Sequence, residues 1–102
     1  MFARINIITR EGDLQQKMLP TLKDTVFASM QEQKGFQNLY LLSDSSGNKS
    51  YLISLWDSEA DLQNWIKSDK LSRLSEQLRK DHPEWPGPPP YEDYPVIYQA
   101  KP

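Results

Sequence analysis

Hydrophobic and polar positions follow two different periods along the chain, and the switches between them fall on turn residues. Tyr51, Ile53 and Leu55 alternate with Leu52, Ser54 and Trp56, the period-two signature of a strand. Asp57-Ser58-Glu59-Ala60-Asp61 follows with helix-start chemistry. The Ser58 hydroxyl can cap exposed backbone N–H groups, and Asp61 completes a capping-box-like spacing. Leu62, Trp65 and Ile66 then fall at i, i+3 and i+4, on one helix face. A polar turn between an apolar strand and an apolar helix face predicts that the two pack on each other. Residues 50–70 are the stretch around which the rest is organised.

Residues 2–10 read as a first strand. Phe2, Ala3, Ile5, Ile7 and Ile8 place apolar groups on both of its faces, as in a central strand. Glu11-Gly12-Asp13 breaks it and opens a helix. Apolar positions at 14, 18, 22, 26 and 30, with Leu19 and Phe27 beside them, form a helical stripe. Pro20 removes an N–H and crowds the preceding turn, so it either kinks this helix or marks its true start. One kinked helix over 13–33 is the reading adopted, with Gly35 as its C-terminal cap. Residues 36–43 form a second strand. Asp44-Ser45-Ser46-Gly47-Asn48 is turn chemistry between two hydrophobic runs and predicts a hairpin.

Downstream, Ser68-Asp69 interrupts the second helix. Leu71, Leu74 and Leu78 carry its apolar stripe on to about Lys80, so a bend near Ser68 is expected. In 81–95, Pro83, Pro86, Pro88, Pro89, Pro90 and Pro95 exclude helix and central strand. Trp85, Tyr91 and Tyr94 would pin this loop to a surface. It reads as a rigid connector, with a lid over a pocket or an arm onto a partner subunit as the alternative. A short strand at 96–100 would close the chain. The order strand, helix, strand, strand, helix, strand is the ferredoxin-like βαββαβ arrangement. It is an α+β fold in which helices cover one face of an antiparallel sheet. Residues 1–102 make a single domain. The other sheet face would be bare, and a second subunit is one remedy.

Composition narrows the function. A net charge of −2 and a pI near 5.3 argue against nucleic acid or anionic membrane as the main partner. The chain has no cysteine, which removes disulfides, zinc–thiolate sites and thiol nucleophiles. MFARINIITR lacks the pattern of a signal peptide, and no run is long and apolar enough to span a membrane. A soluble cytoplasmic protein is expected, which makes the sequon Asn48-Lys49-Ser50 a chance match. The only histidine, His82, ends the second helix, where an imidazolium suits the helix dipole. One histidine and scattered carboxylates supply neither a hydrolytic triad nor a zinc or non-haem iron site. Glu92-Asp93 reads as a solvated pair. The four glycines are unclustered, so no phosphate cradle for a nicotinamide or flavin nucleotide exists. Lys67, Lys70, Arg73 and Lys80 form a basic edge. It reads as a solvated helix face, or as a device for steering an anionic substrate.

The aromatic set is the most suggestive feature. Tyr40, Tyr51, Trp56, Trp65, Trp85, Tyr91, Tyr94 and Tyr98 are many for a small domain. They serve a core or a dimer interface, or they wall a pocket for a flat aromatic ligand. Trp65 is the strongest candidate for such a wall, between helix and sheet.

Leu55-Trp56-Asp57-Ser58-Glu59 followed by Asn64-Trp65 resembles the antibiotic biosynthesis monooxygenase superfamily. Its members are small dimeric α+β barrels, so the resemblance implies a homodimer. The haem-degrading branch uses an Asn on the first strand, a Trp on the second helix, and an iron-ligating His ten residues after that Trp. Here Asn6 and Trp65 match, while the third position is Ser75. The resemblance therefore points away from haem and toward the branch that oxidises quinol-like or polycyclic aromatic molecules without a cofactor. In that branch the substrate loses a proton and its anion reacts with oxygen directly. Asn6 and Trp65 become the candidate catalytic residues, and Trp56, Tyr40 and Ser75 the candidate substrate-binding residues, with no metal. A haem-binding or haem-degrading protein and a non-catalytic ligand-binding dimer are the alternatives. A shift of one residue would carry Asn6 to the other sheet face, so its face is decisive.

Overall fold

The computed structural model describes residues 1–9, 12–46, 49–84 and 88–102. The expected strand end at Arg10, the break residue Glu11, the turn residues Gly47 and Asn48 with the sequon, and Trp85 and Pro86 of the Pro-rich loop lie outside the described residues. The chain runs β1 (Phe2–Thr9), α1 (Gly12–Leu22), a π-helical turn (Lys23–Phe27), α2 (Ala28–Gln31), β2 (Phe36–Ser43), β3 (Lys49–Trp56), α3 (Glu59–Ile66), α4 (Asp69–Asp81) and β4 (Tyr91–Pro95). The strands form one antiparallel sheet in the order β2-β3-β1-β4. This is the ferredoxin-like α+β arrangement. Within the chain the sheet is open, with β2 and β4 at its edges.

The first helical region passes through Pro20 and then widens into the π turn. The Thr25 hydroxyl donates to the Thr21 carbonyl at 2.6 Å, competing for an acceptor that the ordinary ladder would use. The helix stops at Gln31 with Glu32 as cap, earlier than expected. Gly35 therefore serves the following turn and does not cap the helix. Its φ of 83° is open to glycine, and a Cβ there would overlap the Asp61 side chain. The Gly35 carbonyl accepts the Asp57 N–H at 2.7 Å, tying this turn to the start of α3.

The expected Ser58 cap forms, and at the expected bend Ser68 supplies a second. Ser58 accepts the Asp61 N–H at 3.1 Å and starts α3. Ser68 accepts the Leu71 N–H at 3.2 Å and donates to the Trp65 carbonyl at 2.7 Å. Its side chain thus ties the last turn of α3 to the first turn of α4 at the bend between them.

The closing strand falls earlier than 96–100. It occupies Tyr91–Pro95 and pairs with β1 at the sheet edge, where the missing proline N–H costs no ladder bond. Val96 adds one bond to the Met1 carbonyl at 2.9 Å. Beyond it Ile97 and Tyr98 are exposed, with no strand. The Pro-rich connector is correspondingly shorter.

Residues paired directly across an antiparallel sheet share a face. Phe2 opposes Trp56, Arg4 opposes Ser54 and Asp93, and Asn6 opposes Leu52 and Tyr91. These lie on the helix-covered side. There Met30, Trp56, Leu62 and Trp65 form the buried core, with Phe36 packed edge-on against Trp56 at 5.5 Å. The opposite side carries Ile5 beside Ile53 and Tyr40, and Ile7 beside Tyr51 and Leu42. In β1 the polar residues Arg4 and Asn6 thus share the helix side, while Ala3, Ile5 and Ile7 give the other side an apolar centre.

Candidate functional site

Between the helices and the sheet lies a cavity of about 1000 Å³. Its floor is Arg4, Asn6 and Ile8 of β1 with Leu52 and Ser54 of β3. Val26 and Phe27 of the π turn, Trp65 of α3 and Ser75 of α4 form the helical walls. Pro88, Pro89, Pro90 and Tyr91 close one side. The Pro90 carbonyl accepts the Ile7 N–H at 2.9 Å, so the proline run is anchored to β1 as a wall. π turns concentrate at functional sites because the extra residue re-aims side chains. Here the turn presents Val26 and Phe27 to the cavity. A mostly apolar hollow with a few polar groups is the usual form of a small-molecule site.

Three of the sequence candidates meet there. Asn6 lies on the helix-covered face, which settles the question of register. Trp65 is 2% exposed and belongs to both the core and the cavity wall. Its position follows from the i, i+3, i+4 stripe of α3, fixed at the C-terminal end by Ser68. Ser75 lines the wall from α4. The Asn6 amide, the Trp65 indole N–H and the Ser75 hydroxyl find no side-chain partner among the described residues. They are polar groups left available to a ligand.

The other two candidates lie elsewhere. Trp56 is fully buried beside Phe36 and away from the cavity, with its Nε1 lacking an acceptor among the described residues. Tyr40 is half exposed on the opposite sheet face, opposite Ile53. His82 caps the end of α4, and its Nδ1 lies 3.6 Å from Glu84, outside the cavity lining. Of the basic edge, Lys70 lies 3.6 Å from exposed Glu32. Among the described residues no cluster of His, Cys, Asp or Glu could hold a metal ion, and no helix is long and apolar enough to cross a membrane.

Sequence reasoning missed Arg4. Its side chain is 8% exposed and forms a bidentate pair with Asp93, Nε to Oδ1 at 2.8 Å and Nη2 to Oδ2 at 2.9 Å. Its Cζ sits 3.8 Å over the Tyr91 ring. Glu92-Asp93 is therefore split: Asp93 turns inward to Arg4, and Glu92 accepts from the Tyr94 hydroxyl at 3.0 Å. That hydrogen bond raises the Tyr94 pKa above the ordinary tyrosine value, because it favours the neutral phenol. A charged residue two positions before Asn6 in an apolar strand was the available signal.

The profile of the antibiotic biosynthesis monooxygenase family matches residues 1–77. The chain belongs to that family. A haem oxygenase (staphylobilin-producing) of Staphylococcus saprophyticus is 33% identical over 83 residues, covering 78% of each chain. A Streptomyces coelicolor monooxygenase solved in complex with nanaomycin D superposes with a TM-score of 0.74 at 20% identity, covering 99% of this chain and 91% of that one. A heme-degrading protein of Mycobacterium tuberculosis superposes with a TM-score of 0.61 at 15% identity, covering 98% of each. At these identities the two structures share the fold with this chain.

Proposed function

We propose that this chain is a cofactor-independent monooxygenase acting on a flat, quinol-like or polycyclic aromatic molecule. The carrying observation is the cavity itself, with the Asn6 amide and the Trp65 N–H unspent on its walls. A phenol bound there loses its proton, and the anion places negative charge on oxygen and on the ring. Asn6 and Trp65 donate hydrogen bonds to that oxygen, in a site where apolar walls exclude water. The electron-rich ring then reduces dioxygen. One oxygen atom stays on the ring carbon as a carbonyl, and the other leaves as water, taking the hydrogen of that carbon and the equivalent of the phenolic proton. The nanaomycin D bound by the Streptomyces relative supports this class of ligand.

The haem oxygenase relative favours a second reading, haem binding. The residues fit it poorly. Ser75 occupies the position expected of the iron ligand, and His82 lies outside the cavity beside Glu84. No step is assigned to haem.

The assembly proposed is a homodimer built sheet to sheet. Tyr40, Leu42 and Tyr94 are each about half exposed on the uncovered face, around the apolar centre of Ile5, Ile7 and Ile53. A second copy would bury that surface and close the barrel.

The test is oxygen uptake by the purified protein with a panel of quinols and hydroxylated anthrones, in chelator and without added cofactor. Uptake of one dioxygen per oxidised product supports the reading. A visible haem spectrum on titration, with no uptake from any quinol, would move the assignment to the second reading.

A further inference from the structure

Arg4 has donors to spare. The bidentate contact with Asp93 uses the side edge of the guanidinium, Nε and one N–H of Nη2. The Tyr91 ring covers one of its faces. Three N–H groups remain, both of Nη1 and the second of Nη2, with no acceptor among the described residues, and one from each Nη makes up the end edge. An arginine with an 8% exposed side chain would ordinarily spend all its donors, because burying a charge with unmet hydrogen bonds is costly. Arg4 lines the cavity, so a ligand can reach the unspent edge. The fork is also held from two sides, so little side-chain entropy remains to be lost when a ligand docks.

We propose that Arg4, latched by Asp93 and Tyr91, is a specificity-determining residue that takes a carboxylate on the aromatic ligand. The proposal rests on the reading of the cavity as an aromatic site. A planar guanidinium edge matches a carboxylate bidentately, which a lysine or an amide cannot do. Arg4 and Asn6 share a strand face two residues apart, roughly 7 Å along β1. Two fused rings cover that span. The ligand that fits therefore carries its reacting oxygen near Asn6 and Trp65, and its carboxylate about two rings away at Arg4. Asp93 is then a positioning residue that holds the fork and balances its charge while the pocket is empty.

A matched pair of probes tests this: anthraquinone-2-carboxylate and anthraquinone-2-carboxamide, titrated by fluorescence or calorimetry. The carboxylate should bind the wild-type protein about 10- to 100-fold more tightly, the range of one charge-assisted contact. The preference should vanish in Arg4→Gln and in the double variant Arg4→Gln/Asp93→Asn, which leaves no charge unpaired and keeps an amide pair between β1 and β4. Arg79, exposed on the cavity rim, is the control. Arg79→Gln should preserve the preference. If the amide binds as tightly as the acid in the wild-type protein, Arg4 is only a clip between strands, and the aromatic cavity still stands. If Arg79→Gln abolishes the preference and the double variant keeps it, the carboxylate sits at the rim and the assignment to Arg4 is overturned. If neither probe binds, the aromatic reading and the role of Arg4 both fall.

Discussion

Two tryptophans in one core have opposite prospects, and their surroundings decide it. Trp56 is sealed among Phe36, Met30 and Leu62 with its N–H unpaired. Trp56→Phe removes an unsatisfied donor along with volume, so part of the packing loss is offset. Melting should fall modestly, and turnover should not change. Trp56→Ala opens a cavity and should cost about 3–5 kcal/mol, read by denaturant unfolding. At Trp65, which faces the cavity, the pattern should reverse. Trp65→Phe should leave melting nearly unchanged and impair function. Asn6 and Ser75 come from the family resemblance, while the place of Trp65 is legible in the sequence because its i, i+3, i+4 spacing puts it on the apolar helix face. The places of Trp56 and Tyr40 are not, because an aromatic side chain looks the same in sequence whether it meets a void, a packed core or solvent. Arg4 escaped notice because its partner Asp93 comes from the far end of the chain.

Among the elements, the joint between α3 and α4 aims Trp65 and Ser75 at the same cavity, and the Ser68 hydroxyl bonds to both helices across it. Ser68→Ala removes the cap of α4 and the hydroxyl's bond to the Trp65 carbonyl together, leaving the backbone N–H bond to that carbonyl. The expected cost is about 1–2 kcal/mol, with weaker ligand binding as well, because the two walls lose their fixed angle. A stability loss without any change in binding would mean that packing and backbone bonds suffice to fix the joint. Gly35→Ala, strained by its positive φ and blocked by Asp61, should cost more than about 1 kcal/mol and leave binding unchanged. The hairpin, the Ser58 cap and the bend near Ser68 follow from local chemistry and are readable in the sequence. The place of β4 is not. Proline density argues against a strand in general, but a sheet edge forgives the missing N–H, and edge position is a property of topology.

For the whole molecule, the division of labour lies between the two faces of one sheet. The helix side holds the cavity, with Arg4 and Asn6 of β1 on its floor. The other side has an apolar centre, and its cover is the proposed second copy. Light scattering should give the mass of a dimer, and the double variant Tyr40→Lys/Leu42→Lys should shift it toward monomer, since like charges would face each other across the interface. A wild-type monomer at micromolar concentration would contradict the assembly. Ser75→His tests the inheritance of the cavity from the other direction. It should create histidine-ligated haem binding, read by visible spectroscopy, if the pocket keeps the proportions of the haem-degrading relatives. The decisive measurement is steady-state oxygen uptake by wild-type protein and Trp65→Phe on the same quinol, with thermal melting recorded in parallel. A fall in turnover of about 10²–10³, the usual loss for one donor aimed at developing negative charge, with melting unchanged, is the expected result. Equal turnover by the two proteins would contradict it and remove Trp65 from the site.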